Sequence, residues 1–238
     1  MADRYYAEEP IRFEPDGASR VTLAGGEAHH LIHVMRAAPG TCVMLFDGSG
    51  AEFPARVERA SRAEVHLTVL GRQEVDRELP RHVALAVSLP KGDRQRWLVE
   101  KVVELGVTEL IPLAAARSVA QPVRQALDRL RRAVIEASKQ CGRNRLMRIA
   151  EPTSWPALVE STRDEPQRWL AHPSLDGHSA ERLPEPADRM FMAVGPEGGF
   201  TDQEVALAAA ARWQPIHLGP RILRTETAAL AMAVLATR

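Results

Sequence analysis

Cysteine, lysine, aromatic side chains and long apolar runs are all scarce in this chain of 238 residues. The two cysteines, Cys42 and Cys141, cannot build a disulfide framework and stand at no metal-ligand spacing. The longest apolar run, Ala228–Ala236, is far short of the roughly 20 residues that a membrane-spanning helix needs. The opening residues Met1-Ala-Asp-Arg-Tyr-Tyr have no apolar core of a signal peptide, so the chain is expected to be cytoplasmic. There is no G-x-G-x-x-G, no P-loop and no H-E-x-x-H, which argues against a nucleotide phosphate or a zinc-protease site. His29 and His33 lie one helical turn apart but lack a third ligand, and no metal is expected.

A net charge of zero also excludes an overall electrostatic pull toward nucleic acid, but the charge is unevenly spread. From Arg117 to Arg148 there are nine basic side chains against only Asp128 and Glu136. A solvated helix face accounts for such a run as well as an RNA contact does. Hydrophobic residues at 45% and charged residues at 26% are ordinary for a globular protein, and the length suits one large domain or two modest ones.

The first third reads as short strands around one helix. Glu27–Arg36 has apolar residues at 31, 32, 34 and 35 and suits a short amphipathic helix. Thr41–Phe46 is expected as a buried strand, Asp47-Gly-Ser-Gly50 as a tight turn, and Glu52–Arg59 as the second arm of a hairpin. Glu64–Leu70 alternates and makes a further strand. Four or five strands in this span suggest a small β-barrel over residues 1–73. The polar connector Gln73–Arg81 separates it from a second domain, residues 80–238.

From His82 strands alternate with helices, as in a parallel α/β sheet. Strands are expected at Val83–Ser88, Glu109–Leu113, Trp169–Ala171, Met190–Val194 and Pro215–Leu218, with helices at Arg94–Leu105, closed by Gly106, and at Leu127–Gln140. Thr201-Asp-Gln-Glu204 has the form of a capping box, and a last helix runs from about Thr225 to Thr237. Two glycine-bearing loops follow strands near the end: Gly195-Pro-Glu-Gly-Gly-Phe200 and Leu218-Gly-Pro-Arg-Ile-Leu-Arg224, the second leading to Thr225 as a helix cap. Loops at the carboxyl ends of parallel strands are where α/β proteins bind ligands, and glycine allows close backbone approach. One loop carries Glu197 and the other Arg224, so charged groups can face a polar substrate beside a ligand held by backbone.

Gly195-Pro-Glu-Gly-Gly-Phe followed by Leu218-Gly-Pro-Arg-Ile-Leu-Arg-Thr-Glu-Thr-Ala228 resembles the signature of the SPOUT class of methyltransferases. It is similar in particular to the ribosomal RNA small subunit methyltransferase E family. The likeness extends to Arg4-Tyr5-Tyr6, His30-Leu31, Val34-Met35-Arg36, Phe46–Gly50, Lys91-Gly-Asp-Arg94, Glu100-Lys101, Glu104–Val107, Ile111-Pro112, Arg117–Val119, Glu136-Ala137, Gln140 and Arg143. Tyr5-Tyr6 departs from the commoner phenylalanine pair, and Lys139–Cys141 falls in a variable helix.

The resemblance implies a PUA-like N-terminal β-barrel that grips RNA, then a SPOUT α/β domain with a C-terminal trefoil knot, working as a homodimer. It implies S-adenosylmethionine as cofactor and N3 of one uridine in the 16S rRNA of the small subunit as acceptor. Glu197 and Arg224 are the candidate catalytic residues. Leu170, His172, Gly195, Pro196, Gly198, Gly199, Leu218, Gly219, Ile222, Leu223 and Thr225 are expected to hold the cofactor. Arg4, Arg36, Lys91, Arg94, Arg117 and Arg143 are expected to meet RNA phosphates. A SPOUT enzyme acting on a tRNA base or ribose, and a non-catalytic RNA-binding assembly factor, remain as alternatives.

Overall fold

The computed structural model describes residues 3–14, 19–118, 124–173, 178–179 and 187–237. Contacts divide the chain into two units: residues up to Glu78 together with Ser138–Leu146, and Leu79–Ala137 together with Met147 onward.

The first unit contains β1 (Arg4–Tyr6), β2 (Arg20–Ala24), α1 (Gly25–His29), β3 (Cys42–Phe46), β4 (Ala51–Ala60), β5 (Glu64–Val69) and β6 (Gln73–Glu74). Its sheet runs β1-β3-β4-β5-β2, with β6 on β4; among the described pairings only β1 with β3 is parallel. Alternation sends one face of each strand inward: Val43 and Leu45, Phe53, Ala55 and Val57, Val65, Leu67 and Val69 form its core with Tyr5 and Leu31. The expected turn at Asp47–Gly50 joins β3 to β4. Gly48 and Gly50 take φ of 85° and 108°, and Asp47 Oδ1 accepts from the Ser49 amide.

A helix is present where Glu27–Arg36 is expected, but it spans Gly25–Val34 and changes type midway. α1 stops at His29, and His30–Val34 form a π-helical turn closed by Met35 N to His30 O. The wider turn rotates the later residues off the α-helical register, so Ala28 and Leu31 are buried while Val34 and Met35 are exposed. Arg36 ends the turn at φ 53°.

Ser138–Leu146 groups with this unit through ion pairs and hydrogen bonds that no composition shift marks. Arg143 pairs with Glu78, its Nε at 2.9 Å and Nη2 at 2.6 Å from carboxylate oxygens. Lys139 pairs with Glu27 at 2.8 Å. Glu52 accepts from both Arg4 and Arg77, Arg4 also donates to Asn144 Oδ1, and Asn144 donates to Val75 O.

The second unit contains β7 (His82–Val87), α2 (Arg94–Glu104), β8 (Glu109–Ala114), α3 (Arg124–Cys141, its last residues in the first unit), β9 (Arg148–Ile149), β10 (Thr153–Ser154), α4 (Trp155–Ser161), β11 (Gln167–Ala171), β12 (His178–Ser179), β13 (Arg189–Val194), α5 (Asp202–Ala210), β14 (Gln214–His217) and α6 (Thr225–Ala236). Every described pairing is parallel, in the order β10-β8-β7-β13-β11-β14-β12, with β9 on β8. The central strands are apolar on both faces because both are covered. Ala84, Ala86, Phe191 and Ala193 face Trp155, Leu158, Phe200 and Trp213, while α6 packs against β7 and β13 and against α2. Gly106 closes α2 at φ 82°, a backbone conformation that a side chain would strain. Among the described residues no helix is long and apolar enough to cross a membrane.

Candidate functional site

The carboxyl ends of β11, β13 and β14, neighbours in the sheet, carry the segments beginning at His172, Gly195 and Leu218. Between them lies a cleft of about 290 Å³. His172, Gly195, Pro196, Glu197, Gly198, Gly199, Leu218, Gly219, Ile222, Leu223 and Thr225 all line it. The structure thus brings together ten of the eleven residues expected at the cofactor, with Glu197 beside them.

Leu170 is the exception. It lies inside β11, paired with Ala193 and Pro215, and is 1% exposed. Alternation along the strand turns it into the core; Ala171, the next residue, lines the cleft.

The Gly195 loop is built tightly. A Cβ on Gly195 would stand 2.9 Å from two ring carbons of Phe200, whose ring packs tilted against Trp155 at 4.7 Å between centroids. Gly199 sits at φ 67° and its amide donates to Pro196 O at 2.8 Å, closing the turn. The loop then enters α5 through the expected capping box: Thr201 Oγ1 accepts from Glu204 N, and Glu204 Oε2 accepts from Thr201 N. The other oxygen of Glu204 accepts from Ala116 N at 2.8 Å, which ties the end of β8 to the same scaffold. Arg117 lays its stem over Gly198 and donates to Gly198 O at 2.7 Å.

The second loop reaches α6 differently from expectation. Arg224, not Thr225, is the N-cap residue, with extended backbone (φ −66°, ψ 154°) and no side-chain cap. Thr225 is the first helical residue, and its buried hydroxyl donates to Gly195 O at 3.3 Å, stitching the two loops together. The Arg224 side chain is exposed and lies outside the cleft lining.

Two acidic groups meet one base at this site. Arg94, at the start of α2, has Nη2 3.7 Å from Glu197 Oε1 and Nη1 3.3 Å from Glu226 Oε1. Glu226 is buried in α6 and was not singled out by sequence; its only signal is a carboxylate opening an otherwise apolar helix. His172 is held by its amide to Ile216 O at 3.1 Å. Burial pushes its pKa below the ordinary value, with Asp202 opposing, which favours the neutral ring.

The six expected phosphate contacts separate. Arg36, Lys91 and Arg117 are exposed, and Arg94 is half-buried between its two carboxylates. Arg4 and Arg143 correct the expectation: their side chains are 8% and 5% exposed and bind internal carboxylates of the first unit, where a phosphate does not reach them. Among the described residues no group of three or more metal-binding side chains is present; His29 and His33 set their rings tilted against each other at 4.7 Å.

The lining suits an uncharged adenosyl and a small zwitterion better than a phosphate. Val194, Leu218, Leu223 and Ala228 supply apolar wall, while Arg221, Glu197, His172 and His217 are polar side chains that share the lining with the glycine-bearing loops. A Cβ at Gly199 or Gly219 would meet nothing within 4 Å, so both glycines serve backbone conformation and leave the cleft open.

Residues 77–237 match the RNA methyltransferase domain family, and residues 23–70 match the RNA methyltransferase PUA domain. The chain is 31% identical to the ribosomal RNA small subunit methyltransferase E of Bacillus subtilis, over 95% of this chain and 93% of that one. It is 35% identical to the enzyme of the same name from Synechocystis, over 87% and 69%. A ribosomal RNA small subunit methyltransferase E from Neisseria gonorrhoeae bound to S-adenosyl methionine superposes with a TM-score of 0.89 at 30% identity, covering 98% and 95%. A Legionella pneumophila methyltransferase with bound S-adenosylmethionine gives 0.91 at 29% identity, covering 99% and 97%. With a PUA-like first unit and an α/β second unit, this chain belongs to the ribosomal RNA small subunit methyltransferase E family.

Proposed function

We propose that this protein uses S-adenosylmethionine to methylate N3 of one uridine in the 16S rRNA of the small ribosomal subunit. The observation that carries the reading is the glycine-walled cleft with Glu197 on its rim, in a chain whose relatives hold that cofactor. His172, Gly195, Pro196, Gly198, Gly199, Leu218, Gly219, Ile222, Leu223 and Thr225 would hold it, largely through backbone, with Leu170 supporting them from the core. When bound, S-adenosylmethionine supplies a methyl group made electrophilic by its sulfonium. Uracil N3 becomes a competent nucleophile as its proton leaves. Glu197 takes that proton on a carboxylate oxygen, and Arg224 stabilises the negative charge on the ring oxygens. Arg36, Lys91 and Arg117 position the RNA through phosphates.

In the same reading, residues 1–73 grip RNA and residues 80–238 carry the chemistry. The path of the C-terminal segments supports a trefoil knot. From β13 the chain crosses β11 to reach β14, then returns with α6 against β13 and β7. Trp97, exposed on α2 beside α6, supports a homodimer, which light scattering tests. The protein acts in the cytoplasm, on small-subunit RNA.

Nucleoside mass spectrometry of 16S rRNA from a deletion strain tests the function. Loss of 3-methyluridine, restored by the wild-type gene, is expected. Unchanged 3-methyluridine, or loss of a modified tRNA nucleoside instead, overturns it.

A further inference from the structure

The pair of contacts made by Arg94 has the wrong geometry for a structural ion pair. Where an arginine of this protein is built for structure, as in Arg143–Glu78, the guanidinium grips the carboxylate through two nitrogens at 2.9 and 2.6 Å. Arg94 instead touches Glu226 by one nitrogen at 3.3 Å and stands 3.7 Å from Glu197 by the other, beyond hydrogen-bond reach. Glu226 is 6% exposed, and its Oε2 is buried with no hydrogen-bond partner among the described residues. Burying a carboxylate so incompletely satisfied is costly, even with the N-terminus of α6 favouring negative charge. The arrangement is explained if Glu226 holds one end of the guanidinium while the other end waits for a ligand.

What that ligand is follows from the neighbour. Glu197 on the cleft rim is an acceptor, and the Nη2 of Arg94 beside it is a donor. Side by side they form an acceptor–donor pair, complementary to a donor flanked by an acceptor. The imide edge of uracil, N3–H next to a ring carbonyl oxygen, has that pattern. Cytosine at the same edge presents a bare N3 acceptor beside an amino donor, which would set acceptor against Glu197 and donor against Arg94.

We infer that Arg94 and Glu197 together read the imide edge of the target base, and that Glu226 is the positioning residue that aims Arg94. Arg94 is then a base contact that stabilises charge on the ring oxygen as the N3 proton leaves, and not a phosphate contact. The inference rests on the proposed uridine N3 activity and adds to it the means by which uracil is selected over cytosine. A site built to hydrogen-bond a substrate group rejects an analogue that lacks it far more strongly than an apolar pocket does.

The test uses the full-length protein and small subunits isolated from a deletion strain, carrying either the native target uridine or cytidine in its place. The wild-type protein should modify the first and leave the second all but untouched, and comparable rates on the two would overturn the inference. Arg94→Ala should lower kcat on the uridine substrate roughly 100-fold, the loss seen when one charge-stabilising donor is removed. KM for subunits and affinity for S-adenosylmethionine should change little. Glu226→Gln should lower kcat roughly tenfold, a loss of about 1.4 kcal/mol, while the melting temperature stays the same or rises, because a poorly satisfied buried charge is gone. The double variant should be no slower than Arg94→Ala, and Arg94→Lys should recover only part of the rate. A rise in KM with unchanged kcat for Arg94→Ala would make it a phosphate contact and overturn the inference. So would multiplicative losses in the double variant, or a fall in melting temperature for Glu226→Gln that accounts for its lost rate. If the wild-type protein forms no 3-methyluridine, the underlying activity fails along with it; if it does and the variants behave otherwise, only the base-reading role fails.

Discussion

The Gly195–Phe200 contact makes the sharpest test of how the cofactor loop is held. In Gly195→Ala the new methyl would stand 2.9 Å from Phe200 Cδ2 and Cε2 and 3.4 Å from Cζ. Phe200 cannot simply turn away: it is buried, packed tilted against Trp155, and Trp155 is itself buried and packed edge-on against Trp213 at 5.1 Å. Forcing a methyl into such packing costs about 1–3 kcal/mol. The cost should be divided between stability, read as the urea midpoint, and S-adenosylmethionine affinity, read by calorimetry, because the same loop lines the cleft. Gly199→Ala is the control. Its Cβ meets nothing within 4 Å, but φ is 67°, so only the left-handed backbone penalises it, by about 1–2 kcal/mol. Phe200→Leu relieves the first clash and leaves the second strain untouched. Gly195→Ala should therefore cost at least about 1 kcal/mol less in a Phe200→Leu background, with no such coupling for Gly199→Ala. Additive behaviour of Gly195→Ala with Phe200→Leu, or a Gly195→Ala protein of normal stability and affinity, would refute the packing argument.

Glu197→Gln and Arg224→Ala should each lower methylation by roughly 100-fold or more while leaving cofactor affinity within a few-fold; near-normal single-turnover rates would remove that residue from the chemistry. In the first unit, burial pushes the Glu52 carboxyl up, but hydrogen bonds and charge from Arg77 and Arg4 together outweigh it and hold the pKa below 4.5. A depressed carboxylate stabilises the fold above its unfolded value, so stability should fall as pH drops below about 4.5, and Glu52→Gln should flatten that fall in acid denaturation curves. His172, depressed by burial, contributes stability that is complete above 6.5 and lost as pH falls below it. His172→Gln should remove that component from the pH dependence of the melting temperature, and an unchanged profile would count against a partly buried neutral ring.

Much of the architecture was legible because it depends on local patterns. Val83–Val87 and Met190–Val194 read as continuous apolar runs because both sides of a parallel sheet are covered, and Thr201–Glu204 read as a cap because its two hydrogen bonds are short in sequence. The glycine loops were legible for the same reason: Gly199 and Gly219 are needed for their own backbone angles. What only the tertiary structure decided involves partners far apart in the chain. Arg4 and Arg143 are expected at RNA phosphates, yet meet Glu52 and Glu78, carboxylates that lie 48 and 65 positions away. Leu170 and Ala171 are equally apolar, and only the sheet's facing turned one inward and the other to the cleft. Thr225 had the chemistry of a cap, but Gly195 O, 30 residues away, took its hydroxyl. Glu226 was one carboxylate in a motif until Arg94, 132 residues earlier, was placed between it and Glu197. Sequence determines what each side chain can donate, accept or bury; which partner satisfies it is set by packing between distant segments, and no local pattern encodes that.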